Sequence, residues 1–323
     1  MKDSTTRVAV TSRSFSKHPL LRAELLERYE HVTFNDAGKS LRGDELIAFL
    51  RGHDRAITAL ETLDARLFAS LPELKAVSKY GVGLDMIDLD AMEQRGVLLG
   101  WTAGVNRRSV AELVVAASIM LLHRATVAGA ELRSGEWRQL IGRELTRKTV
   151  GIIGCGHIGK EVAVLMRAFN CEVLANDIVE YPEFYEKHHV RPVSLDELLT
   201  SSDVVTVHTP LDETTHNLLS RQRLGAMKRD AILINMARGG IVDEAAVKEL
   251  LMAGKLAGAA FDVFCDEPPG DAELLALPNV FATPHIGGSS EEAILAMGRA
   301  AIEGLRTARP VSGELRSRPV SGL

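Results

Sequence analysis

The chain is expected to fold as an α/β protein of two domains built on parallel sheets. Three observations carry this expectation. Short apolar runs of strand length alternate with helical patterns along nearly the whole chain. A glycine-rich turn near the middle joins one such run to a helical pattern, so a separate unit must precede it. The length of 323 residues suits about two domains, and a hydrophobic fraction of 46% is ample for two cores.

Taken in order, residues 8–11, 56–59 and 74–78 read as strands, with helical patterns over 20–29, 43–50 and 64–70. Residues 105–124 read as one long helix capped by Asn106 or Ser109. Its apolar positions Val110, Leu113, Val114, Ala117, Ile119, Met120 and Leu121 cover most of the circumference, which predicts burial nearly all round. Residues 129–137 lead to a strand over 149–153, a helix over 160–169 and a strand over 172–176. The segment 180–187 carries Tyr181, Phe184 and Tyr185 and reads as packing, or as a flap on the adenine side. Strands over 204–208, 231–235, 257–261 and 280–283 follow, with helices over 194–200, 221–227 and 244–253, then a final helix over 290–308. The tail repeats itself, Arg309-Pro310-Val311-Ser312-Gly313 and Arg318-Pro319-Val320-Ser321-Gly322, and its composition predicts a frayed terminus.

A net charge of −5 gives no electrostatic footprint for nucleic acid and no basic face for a membrane. The Met1-Lys2 start lacks an apolar region behind it, and the longest apolar stretch, residues 113–122, is too short to span a bilayer. Cys155, Cys171 and Cys265 have no metal-ligand spacing. These features predict a cytoplasmic protein with reduced thiols and no metal.

The most informative stretch is Gly154-Cys155-Gly156-His157-Ile158-Gly159, placed between a strand and a helix, with Asp177 after the next strand. Gly154 permits a tight turn, Gly156 lets the backbone approach a pyrophosphate, and Gly159 lets helix and strand pack closely. The helix N-terminus offers unpaired N–H groups to the phosphates, and His157 and Ile158 of the turn belong to the expected cofactor site. Asp177 falls where a carboxylate accepts both hydroxyls of an adenosine ribose, and Ile178 leaves no arginine for a 2′-phosphate. Dinucleotide binding is expected, with NAD favoured over NADP.

Three charged side chains follow three of the later strands: Arg238, Glu267 and His285. Parallel α/β sheets bind ligands beyond the carboxyl ends of their strands, so all three belong to the cofactor's edge. A cation, an acid and an imidazole beside a nicotinamide are the parts needed to hold a carboxylate and move a proton.

In Lys79-Tyr80-Gly81-Val82-Gly83-Leu84-Asp85, the glycine turn itself, Asn235-Met236-Ala237-Arg238-Gly239-Gly240-Ile241-Val242-Asp243, Phe261-Asp262-Val263-Phe264-Cys265-Asp266-Glu267-Pro268 and Thr283-Pro284-His285-Ile286-Gly287-Gly288, the chain resembles the D-specific 2-hydroxyacid dehydrogenases, in their short phosphoglycerate dehydrogenase-like form. The resemblance implies a flavodoxin-like substrate domain (1–102 plus 289–323) with an inserted Rossmann NAD-binding domain (103–288), hinges near Thr102 and Gly288, and a homodimer built on the long helix and the Trp137 segment. It implies Arg238 as the clamp on the substrate carboxylate and carbonyl, His285 as acid–base and Glu267 as its partner. Val82 and Gly83 would offer N–H groups to the substrate, Asp262 would bond the nicotinamide amide, and His208, Thr209, Pro210 and Ala237 would line the cofactor. The substrate would be a small 2-hydroxy or 2-keto acid.

Relatives acting on phosphoglycerate place Arg and Ser after the third strand, where this chain has Thr58-Ala59-Leu60-Glu61. Glu61 would repel a phosphate. Lys79 reads equally as a contact for an anionic substrate tail or as a surface lysine, and Trp101 as hinge packing or a pocket wall. No regulatory module follows the last helix, so feedback through one is not expected. A non-catalytic NAD(H)-sensing scaffold on the same fold is the alternative to an enzyme.

Overall fold

The computed structural model describes residues 2–311. The chain divides into two compact units, one holding the residues up to Asn106 and those from Ser290 onward, the other Arg107–Ser289.

The first unit is built on five parallel strands: β1 (Asp3–Val10), β2 (Tyr29–Phe34), β3 (Arg55–Thr58), β4 (Ala76–Lys79) and β5 (Leu98–Gly100). Their order, β2-β1-β3-β4-β5, is that of the flavodoxin-like fold. Its central strands are short apolar runs because helices cover both faces of the sheet. Val8, Val10 and Ile57 pack with Phe15, Leu21, Leu25 and the late residues Ala301, Ile302 and Leu305 on one side. Ala9, Ala56 and Val77 pack with Leu46, Leu50, Leu67 and Phe68 on the other. The last helix, Glu291–Thr307, is capped by Ser290, whose side chain accepts the N–H of Ala293. The chain beyond it departs from the frayed tail expected from composition. Arg309 exchanges two backbone hydrogen bonds with Leu99, and Val311 is buried. The second copy of the tail repeat lies outside the described residues.

The second unit holds seven parallel strands: β6 (Thr149–Ile153), β7 (Glu172–Asn176), β8 (Val190–Pro192), β9 (Val204–Val207), β10 (Ile232–Asn235), β11 (Gly258–Phe261) and β12 (Val280–Ala282). The order β12-β11-β10-β9-β6-β7-β8 is the doubly wound Rossmann arrangement with one strand added at an edge. Alternate residues of each strand feed two cores. Val150, Ile152, Val173 and Ile234 pack with the helices Arg107–Leu122 and His157–Ala168. Ile153, Leu174, Val205, Leu233 and Phe261 pack with Leu198, Val247 and Leu251 on the opposite face.

The long helix is shorter and less buried than its composition predicts. It spans Arg107–Leu122, buries Val110, Val114, Ala117 and Leu121, and leaves Leu113, Ile119 and Met120 partly exposed. Arg124, at φ 56°, breaks it from a second helix, Ala125–Arg133. Among the described residues no single helix is long and apolar enough to cross a membrane.

Candidate active site

All seven strands of the second unit run the same way, so the residues after β6, β7, β9, β10, β11 and β12 share one edge. The glycine turn follows β6. Gly154 adopts φ 90°, and its N–H bonds Asn176 O at 2.8 Å. A Cβ on Gly159 would stand 2.1 Å from Gly154 O, so only glycine lets the helix start this close to the strand. The helix His157–Ala168 begins at Gly156, which has no side chain with which to cap it. Its first N–H groups therefore face the edge as donors for an anion.

Three polar atoms near this turn are buried without a hydrogen-bond partner among the described residues: His157 Nδ1, His208 Nδ1 and Thr209 Oγ1. Leaving such an atom unpaired costs about 1–3 kcal/mol each, which is too much to leave unexplained at three neighbouring positions. A polar ligand on this edge would satisfy them. Both imidazoles are held neutral. Burial, then the charges of Arg107 and Lys160, keep His157 below its ordinary range, and burial pushes His208 down to about 3. His208 Nε2 lies 2.9 Å from Thr206 Oγ1. Pro210 is exposed beyond them, and Ile158 is half-buried.

Asp177 follows β7, with Ile178 fully exposed beside it. Its Oδ2 accepts the N–H of Cys155 at 2.6 Å and its Oδ1 that of Val179 at 2.9 Å. Each oxygen keeps capacity for a further donor, as a ribose hydroxyl would supply. The glycine turn, the bare helix end, the orphaned polar atoms and the anchored acid together fit a dinucleotide.

Sequence reasoning missed a residue beneath this turn. Lys160 is 6% exposed, and its ammonium stands 3.8 Å over the ring of Tyr181 and 5.5 Å from that of Phe184. This cation–π contact ties the dinucleotide helix to the segment 180–187. Tyr185, in the helix Pro182–His188, is buried, as a packing role requires. The available signal was a lysine directly after the third glycine, with an aromatic cluster some twenty residues on.

Glu267 and His285 come together. Glu267 Oε2 is 2.9 Å from His285 Nδ1, and Oε1 accepts the N–H of Phe264 at 3.3 Å. Both side chains are about two-fifths exposed, which is open enough for a substrate to reach them. His285 holds φ 55°, a left-handed conformation rare outside glycine. Arg238 is half-buried, and its Nη1 donates to Ala237 O at 2.7 Å. Its loop is held by Asn235, also missed from sequence. Asn235 is fully buried, accepts the N–H of Ala237 on Oδ1 and donates from Nδ2 to Arg238 O. Asp262 is 2% exposed, and its carboxylate is turned onto the 283–287 turn.

The remaining candidates lie in the first unit, at the end of β4 and just past it. Lys79 is not a surface lysine: it is 5% exposed, and its Nζ donates to Ala59 O. Val82 and Gly83 are half-buried, and Val82 O accepts the indole N–H of Trp101 at 2.9 Å. Glu61 accepts the N–H of Ala59 at 2.6 Å, so the edge after β3 carries an acid.

Residues 115–287 match the family model described as the NAD-binding domain of D-isomer-specific 2-hydroxyacid dehydrogenases. The chain is 40% identical over 259 residues to the D-3-phosphoglycerate dehydrogenase of Archaeoglobus fulgidus, covering 79% of this chain and 49% of that one. It is 37% identical over 268 residues to glyoxylate/hydroxypyruvate reductase B of Pectobacterium carotovorum, covering 80% and 82%. The crystal structure of TT0316 protein from Thermus thermophilus is similar at a TM-score of 0.82 and 34% identity, covering 94% and 98%. The chain spans about half the length of the phosphoglycerate dehydrogenases it matches.

Proposed function

We propose a function from one premise: the chain belongs to the D-isomer-specific 2-hydroxyacid dehydrogenase family. Its cofactor is NAD. The protein interconverts a small D-2-hydroxy acid and its 2-keto acid. The observation that carries this reading is the Glu267–His285 pair, 2.9 Å apart at the carboxyl edge of the NAD-binding sheet.

Bound NAD supplies the hydride chemistry. The protein supplies geometry and charge. The bare end of His157–Ala168 and the turn Gly154–Gly159 hold the pyrophosphate, and Asp177 accepts the ribose hydroxyls. His157, Ile158, His208, Thr209, Pro210 and Ala237 would complete the cofactor's surroundings. Glu267 occupies Nδ1 of His285, which leaves Nε2 to face a substrate oxygen. From there His285 gives a proton to the oxygen in reduction and takes it back in oxidation. The Arg238 guanidinium holds the substrate carboxylate and offsets negative charge growing on the carbonyl oxygen.

The stretch Thr58-Ala59-Leu60-Glu61 stands where phosphoglycerate-acting relatives place Arg and Ser, which favours a substrate without a phosphate. The protein works as a homodimer in the cytoplasm. The test is a panel of 2-keto acids with NADH, followed by loss of NADH absorbance. Turnover of unphosphorylated 2-keto acids is expected. Tight NADH binding without turnover of any member would replace the enzyme with an NAD(H)-sensing scaffold.

A further inference from the structure

Asp262 is the first residue past β11, and its N–H bonds Asn235 O at 3.0 Å, at the end of β10. Its side chain points away from bulk water and into the turn that carries His285. Oδ1 accepts from Thr283 Oγ1 at 2.6 Å and from the N–H of Ile286 at 2.7 Å. Oδ2 accepts from the N–H of Gly287 at 2.7 Å. The three donors bracket residue 285 on both sides. The fit is close: a Cβ on Gly287 would stand 2.8 Å from Oδ2. Between these anchors His285 takes its left-handed conformation, and its own N–H bonds Thr283 O at 3.0 Å. A left-handed backbone carries strain outside glycine, and three short bonds to one buried carboxylate on either side of residue 285 help to hold it.

We propose that Asp262 is the positioning residue of the acid–base: its carboxylate holds the 283–287 turn so that His285 presents Nδ1 to Glu267 and Nε2 outward. This rests on the reading of His285 as the acid–base. It differs from a role as a direct ligand of the nicotinamide in that every donor to the carboxylate lies on the turn that carries His285.

The experiment compares Asp262→Asn, Thr283→Val, Thr283→Ser and His285→Ala in the full chain. Each is measured for kcat and KM with the best keto acid, for NADH affinity by fluorescence, and for Tm. Asp262→Asn keeps the volume, but its amide nitrogen cannot accept a backbone N–H. Misplacement of a reacting group by about 1 Å can cost on the order of 10²-fold, so kcat should fall by roughly that factor while NADH affinity stays within about twofold. Thr283→Val removes one donor and should lower kcat several-fold, whereas Thr283→Ser restores the hydroxyl and the rate. If Asp262→Asn does not fold, the valine–serine pair decides the matter.

Full kcat in Asp262→Asn or in Thr283→Val, with His285→Ala inactive, overturns the positioning role and leaves the dehydrogenase reading intact. Loss of NADH affinity in step with kcat in Asp262→Asn, with Thr283→Val silent, makes Asp262 a cofactor ligand instead. Wild-type turnover in His285→Ala removes the premise itself.

Discussion

Glu267 Oε2 lies 2.9 Å from His285 Nδ1, while Glu267 Oε1 accepts the N–H of Phe264. One oxygen of the carboxylate is therefore held by the backbone while the other meets the imidazole. Glu267→Gln keeps the shape and removes the charge. Charged hydrogen bonds of this kind are worth about 1.5–3 kcal/mol, so kcat for reduction should fall roughly 10- to 10²-fold. His285→Ala should fall further, by about 10²–10⁴-fold, since it removes the proton donor itself. NADH affinity should hold in both. A glutamine variant with unchanged kcat would mean that the pair is incidental to the reaction.

Asp177 should govern the choice of cofactor. It holds the turn through Cys155 and Val179, and each oxygen keeps capacity for a further donor. Asp177→Ala is expected to weaken NAD binding by about 10- to 10²-fold, for the loss of one charged acceptor. The preference for NAD over NADP should shrink at the same time. Dissociation constants for both cofactors are the measurement. Equal values in variant and wild type would reduce Asp177 to a brace of the turn.

How far the sequence could be read depended on whether a signal was local. The glycine turn, its helix and its acid fall within some thirty consecutive residues, and the ends of β10, β11 and β12 announce Arg238, Glu267 and His285 by position alone. Missed features were either short or non-local. β2 alternates buried Tyr29 with exposed Glu30 and His31, so the helical pattern before it runs over its start. β5 and β8 are three residues each, below the length at which periodicity means anything. Lys160 reads as an ordinary helix lysine until Tyr181 arrives from another element. Asn235 looks like a loop polar residue because its partners are backbone groups, which no side-chain pattern reports. Arg309 looked frayed by composition, yet its backbone pairs with Leu99, more than two hundred residues earlier.

The close approach of helix and strand at the turn predicts a stability effect. Gly159→Ala would place its methyl 2.1 Å from Gly154 O, a backbone atom that can yield only by moving the turn. Overpacking of this kind costs about 1–3 kcal/mol. Denaturant midpoint and NAD affinity should both fall. A variant of wild-type stability would mean that the helix can shift without penalty.

The cysteines should be slow to react, and their pH dependence follows from their surroundings. Burial, then the Asp177 carboxylate, pushes the Cys155 thiol up to about 12; burial, then Glu244, pushes Cys265 up to about 11. The thiolate is the nucleophile, so both are protonated and sluggish near pH 8. Raising the pH to about 10 populates the thiolate of exposed Cys265 first, while buried Cys155 and Cys171 stay closed to reagent. Mass spectrometry after iodoacetamide treatment reads this directly. Cys265 alkylated near pH 8 as fast as a free cysteine would contradict the protonated state.

The last prediction concerns assembly. Trp137 is 84% exposed, Ile141 90% and Leu132 58%, and every residue of the helix Ala125–Arg133 is at least partly open to water. Single exposed apolar residues are ordinary, but three large ones within ten positions make a patch that a monomer rarely leaves bare. Leu113, Ile119 and Met120 on the preceding helix are also partly open, because that helix turns only Val110, Val114, Ala117 and Leu121 into its own unit. A second copy of the chain offers the same patch, and a twofold axis would bury both at once. Light scattering at micromolar concentration should therefore give twice the chain mass of 35.1 kDa. The double variant Trp137→Glu, Ile141→Asp should dissociate it without loss of the secondary structure of either unit, since neither side chain packs in a core. A monomeric wild type would end the proposal. A double variant that stays dimeric would move the interface away from this segment.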